Sequence, residues 1–350
     1  MNELASIPFL RAMGWALLHS LWQGALLGLL AALALRLARH RSAEFRYTLA
    51  AGALSLLVLA FAGTLVWLSA GGDPLAGVDV VLIAPVGEGQ GFSSWLPQLR
   101  TALGPWLPRL FLAWALGFSL RLVQLGRSMA WLYGPCLHSF EPPPAEWLAR
   151  FETLRSRGRV RRPVRLGLSH QVDSLVVLGW LRPVVLVPAA ALLALSPEGL
   201  EALLAHELAH VRRGDFLANV IQTFAEALLF YHPAVWWLSR RIRQEREHCC
   251  DDAAVQACGD PIFYASALVG LEELRLHPTL IPDLAPAASG GRLMSRIQRL
   301  LRPRITHDPV APLAALLPAI LLVAALGAAS LAASDAPKAP AGAPVEMDFK

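Results

Sequence analysis

Four stretches of this chain are long and apolar enough to cross a lipid bilayer, and no other feature limits its fold as strongly. A helical span takes about 20 apolar residues, because each residue advances about 1.5 Å and the hydrocarbon layer is about 30 Å thick. Residues 9–35, 47–70, 106–124 and 313–333 meet that requirement. The first holds Arg11 near its start, with His19 and Gln23 one turn apart inside it, a spacing that suits bonding between helices. The second carries no charge. The third has Arg109 and Arg121 near its ends, where long side chains can reach lipid headgroups. The fourth contains Pro318. Composition agrees: 55% of residues are apolar and 16% charged, against about 25% charged in an ordinary soluble domain. The predicted class is a mainly α, polytopic membrane protein with four transmembrane helices.

The loops orient the spans. The connection between the first two holds Arg36, Arg39, Arg41 and Arg46, whereas residues 71–105 hold only Arg100 beside Asp73, Asp79 and Glu88. Basic short loops stay in the cytoplasm. Residues 1–126, with three spans and an extracytoplasmic loop at 71–105, therefore begin outside. A cytoplasmic domain follows at 127–309, then the fourth span within 310–333, then a short disordered extracytoplasmic tail at 334–350. Both termini are extracytoplasmic in this reading. The apolar segment from Phe9 is too long for a cleavable signal and lacks a small-residue cleavage pattern.

The net charge of +5 comes almost entirely from arginine, with lysine only at 338 and 350. The arginines, including Arg240, Arg241, Arg243 and Arg246, lie beside apolar runs, which points to a lipid surface and not to direct nucleic-acid binding. Cys136, Cys249, Cys250 and Cys258 make no disulfide framework and are expected as reduced thiols.

The cytoplasmic domain reads as α+β. Residues 164–168, 175–178 and 184–187 are short β-branched runs broken by Gly179 and Pro183. The segment "LSPEGLEALLAHELAHVRRGD" predicts a helix capped by Ser196, with Pro197 in its first turn and Gly214 as its stop. Residues 216–231 predict a buried or interfacial helix too short for a span, and Pro233 starts another that runs to about 257. Trp236 and Trp237 suit a membrane interface. Residues 275–308, rich in Arg and Pro, read as a link to the last span.

The chemistry concentrates at His206-Glu207-Leu208-Ala209-His210. Positions i and i+4 of a helix share a face, so both histidines can turn a ring nitrogen toward one ion. Glu207 lies one residue round, placed to act on a water as general base without ligating the metal. A catalytic zinc takes three protein ligands and leaves a fourth position open. Glu247, on the next helix but one, would complete a His₂Glu set, and Cys250 on the same face is a rival ligand. Asp251, one turn beyond Glu247, can accept a hydrogen bond from a ligand histidine's other nitrogen. His232 is a candidate transition-state stabiliser, though "YHPAVWW" equally suits a helix entry. The plain alternative is an ordinary helix that carries two packed or surface histidines.

These pieces resemble the BlaR/MecR-type membrane zinc metallopeptidases, the β-lactam sensor-transducers. The resemblance rests on "LGWLRPVVLVP", "LSPEGLEALLAHELAHVRRGD", "LLFYHPAVWWLSRRIRQEREHCCDDAAV", "CGDPIFYASAL" and "HSLWQGALL". It implies a zincin domain of the HExxH gluzincin type that holds one Zn²⁺ through His206, His210 and Glu247, with Glu207 as catalytic base. It further implies an endopeptidase in a bacterial inner (cytoplasmic) membrane, cleaving a protein substrate such as a helix-turn-helix repressor, itself, or both in response to a signal. A homodimer is a candidate assembly. In the antibiotic sensors a penicillin-binding domain follows the last span. Only a short tail follows here, so no sensed ligand is predicted. Constitutive quality control of membrane proteins is one rival function, and a non-catalytic, zinc-stabilised receptor or scaffold is another.

Overall fold

A computed structural model of the protein describes residues 8–72, 101–133, 140–170, 172–276 and 287–301. The expected fourth span, the tail and most of the 71–105 loop lie outside the described residues. Among the described residues, three helices are long and apolar enough to cross a membrane: α1 (Pro8–Leu37), α2 (Ala43–Ser69) and α3 (Leu107–Tyr133), whose apolar stretch begins earlier, at Thr101. Gln23 of α1 donates to Thr64 Oγ1 of α2 at 3.0 Å, the expected bond between helices. His19 accepts from Trp22 in its own helix at 3.1 Å.

The rest is α4 (Ala145–Arg157), β1 (Arg165–Ser169), β2 (Val176–Leu178), β3 (Val184–Pro188), α5 (Ala189–Ala194), α6 (Pro197–Arg213), α7 (Asp215–Leu228), α8 (Pro233–Cys258), α9 (Pro261–Leu276) and α10 (Ala287–Leu300). The sheet order is β1-β3-β2, with β1 parallel and β2 antiparallel to β3. All five residues of β3 are buried, which suits the middle strand of a sheet covered by helices. α10 corrects the reading of 275–308 as a plain link: Leu293, Ile297 and Leu300 recur at helical spacing and pack on the domain core.

α6 forms as its sequence dictates. The Ser196 side chain accepts from Gly199 N–H at 3.1 Å, and Pro197 follows in the first turn. Gly214 closes the helix at φ 72°, a left-handed turn that glycine adopts without strain. Leu200, Leu204 and Leu208 are at most 2% exposed and bury one face against the core, each contributing about 1.5–3 kcal/mol. Ser196→Ala is expected to cost about 1 kcal/mol through the lost cap, read as a lower melting temperature.

α7 and α8 form a hairpin that lies along the apolar helices. Its turn meets α1 and α3: Trp114 Nε1 donates to Leu228 O at 2.9 Å, and the Tyr231 and Ser20 hydroxyls share a hydrogen bond of 2.7 Å. A Cβ at Gly24 would overlap the His232 ring, and one at Gly117 would overlap Phe230. Farther along α8, Glu245 pairs with Arg46 of α2 at 2.8 Å.

Candidate metal centre

Helix α6 presents His206 and His210 on one face, their ring centroids 4.9 Å apart and their planes nearly perpendicular. α8 crosses that face and brings in Glu247. His206 Nε2 lies 3.6 Å from one Glu247 oxygen, and His210 Nε2 lies 3.8 Å from the other. These separations suit donors around one small cation, since ligands about 2.05 Å from a tetrahedral zinc stand roughly 3.4 Å apart. One ligand atom from each residue falls within 4.8 Å of the others.

The other ring nitrogens are held. His206 Nδ1 donates to the Tyr264 hydroxyl at 2.9 Å, and that hydroxyl donates to Asp251 at 2.8 Å, with Asp251 itself 3.3 Å from the ring nitrogen. His210 Nδ1 donates to Asp215 at 2.8 Å. Both arrangements engage Nδ1 and turn Nε2 toward Glu247, the orientation that a metal-ligating imidazole needs. Arg296 of α10 grips the Asp251 carboxylate with two nitrogens and stands 3.5 Å from Glu247.

The electrostatics follow. Burial pushes His206 toward neutrality, yet bonding to Asp251 and Glu247 outweighs it and holds its pKa up at about 9. Burial also works to raise Glu247, but His206, His210 and Arg296 hold its carboxyl down at about 2. Asp251, likewise opposed by burial, is held well below the carboxylate range by His206 and Arg296. Glu207 goes the other way: burial raises its pKa, only partly countered by His210 and His206. Anionic Glu247 and Asp251 thus flank the imidazoles while burial raises Glu207 beside them, and the His206, His210 and Glu247 atoms suit a small divalent cation.

The family model described as BlaR1 peptidase M56 matches residues 101–298, more than half of the chain. The chain belongs to the BlaR1 peptidase M56 family. It is 24% identical over 185 residues to the regulatory protein BlaR1 of Bacillus licheniformis; the match takes in 52% of this chain and 30% of that relative's length. The M56 match runs from α3 through α10 and so contains every residue of the cluster.

Within this M56 chain, the expected residues divide. His206, His210, Glu247 and Asp251 come together, and Glu207 follows His206 on the same helix. Cys250, the rival ligand, stands against the far side of His210, 3.3 Å from Nδ1. His232 does not join them. Its Nδ1 accepts from Ala234 N–H and caps α8, and its Nε2 donates to the Ser20 and Leu21 carbonyls of α1. With both nitrogens engaged and 2% of its surface exposed, it is a packing residue, and the helix-entry alternative is the one the geometry supports. Tyr264, Arg296 and Asp215 were not expected. Tyr264 lies inside "CGDPIFYASAL" and Asp215 closes "VRRGD", so the sequence carried both without marking their task.

Proposed function

We propose that this chain is a membrane-embedded zinc endopeptidase that hydrolyses peptide bonds on the cytoplasmic side of a bacterial inner membrane, cleaving a transcriptional repressor, itself, or both when a signal arrives. The observation that carries this reading is the convergence of two Nε2 atoms and the Glu247 carboxylate beside Glu207. His206, His210 and Glu247 would hold the ion. When bound, zinc supplies Lewis acidity toward a peptide carbonyl and makes water acidic near neutral pH. Glu207 takes the proton from the attacking water and returns it to the leaving amine, a task suited to its raised pKa. Tyr264, Asp251 and Asp215 hold the two rings in the required tautomer. The outer edge of β2 carries no strand among the described residues, and β2 packs on α6, so an extended substrate backbone can add to the sheet there.

The cytoplasmic assignment is supported by the Arg46–Glu245 pair, which ties α8 two residues from Glu247 to the start of α2, beside the arginine-rich connection. Purified chain in lipid nanodiscs is expected to hold one zinc, to cleave an unfolded protein substrate, to lose both on chelation, and to regain both with one equivalent of zinc. Cleavage that survives complete removal of metal would refute the proposal.

A further inference from the structure

Helix α7 spans 14 residues, about 21 Å at 1.5 Å per residue. It starts beside the metal cluster at Asp215 and ends at the turn against α1 and α3. α8 covers a like distance on its way back, from Pro233 to Glu247. The turn meets α1 around Ser20 and Gly24, midway between Arg11 and Arg36, the charges that bracket the apolar part of α1. It meets α3 at Trp114 and Gly117, between Arg109 and Arg121. If α1 and α3 cross a bilayer, the turn lies near its middle. Half the hydrocarbon layer is about 15 Å, so the metal cluster, about 21 Å above the turn, stands level with the headgroups.

Non-helical backbone at that depth needs its polar groups satisfied, and several groups of this turn are. Leu229 N–H bonds Ala225 O and His232 N–H bonds Leu229 O. Leu228 O receives Trp114, His232 caps α8, and Pro233 has no N–H to satisfy. Polar side chains of the two arms face each other. Gln222 bonds Glu226 and Ser239 O, Arg246 bonds Gln222, and Glu226 pairs with Arg243 at 2.6 Å, neutralising both charges. The outer face is apolar and exposed at Leu217, Ile221, Phe224, Trp236 and Trp237. It continues the exposed apolar side of α3 through an edge-on contact between Phe118 and Phe224.

We propose that α7, the 229–232 turn and the first half of α8 form a re-entrant hairpin that enters the bilayer from the arginine-rich end and turns back near its middle, with lipid acyl chains covering the Leu217, Ile221, Phe224, Trp236 and Trp237 face. The proposal depends on α1–α3 spanning a membrane and stands apart from catalysis. The test places single cysteines at Leu217, Ile221 and Phe224 of the full chain in nanodiscs, spin-labels them, and measures collision with oxygen and with a water-soluble nickel chelate. Labelled unsubstituted chain supplies the background from the native cysteines. Leu29→Cys on α1, 69% exposed, is the lipid reference, and Leu193→Cys, 88% exposed on the domain, is the water reference. The expected oxygen-to-nickel ratio at Ile221 and Phe224 matches that at Leu29, exceeds that at Leu193 several-fold, and rises from Leu217 to Phe224. A ratio like that of Leu193 would overturn the proposal. Protection from both reagents would overturn it too, by putting another protein segment or a second copy of the chain on that face.

Discussion

Glu207→Gln is expected to lower peptide-bond cleavage about 10²–10⁴-fold, the usual contribution of a positioned general base, while one zinc per chain is retained. The change keeps the shape of the side chain and removes its basicity. It leaves both histidines and Glu247 untouched. Metal content and folding should therefore be unaffected, which separates loss of proton transfer from loss of the site. The check pairs metal analysis with turnover of an unfolded protein substrate for both forms of the chain. Turnover at the unsubstituted rate by a zinc-loaded variant would remove Glu207 from the chemistry.

The second large effect is structural. Asp251 is fully enclosed and accepts from Tyr264 and from two nitrogens of Arg296, itself only 19% exposed in its side chain. Asp251→Ala strands a guanidinium that has lost its counter-charge, and breaking such a buried pair costs about 3–5 kcal/mol. For a chain of this size that corresponds to a fall in melting temperature on the order of 10 °C. The Tyr264 hydroxyl also loses its acceptor, so the His206 ring is held less firmly, and zinc affinity is expected to fall about 10–100-fold. Thermal melts and competitive zinc titration measure the two effects. Unchanged values in both would mean that Asp251 neither holds α10 nor orients His206.

What the sequence made legible was local. Ser196, Pro197 and Gly214 mark the ends of α6 within the residues that form it, and the three β-branched runs were located to within a residue at most of their ends. The i, i+4 histidines and the later acidic face needed only helical geometry to be brought together. The supports of the site were hidden because they act across the fold. Tyr264 is an ordinary aromatic of α9 until α6 and α8 pack around it, and Arg296 is one of many arginines until α10 docks. α10 itself was obscured by the Arg- and Pro-rich residues around it. His232 misled for the opposite reason: its type suits catalysis, and only its neighbours in α1 reveal a cap. The 216–231 segment was too short to span, and its depth against α1 and α3 is not a property of its own residues.

The residues that steady the site are spread along the chain in a particular sequence: both histidines first, then Glu247 and Asp251, then Tyr264, and Arg296 after all of them. On the ribosome, His206, His210 and Glu247 are made well before the guanidinium that braces their surroundings. A nascent chain stopped ahead of Arg296 would leave Asp251 without its main counter-charge and the His206 tether slack. Full bracing of the cluster is thereby tied to the arrival of nearly the whole M56 region.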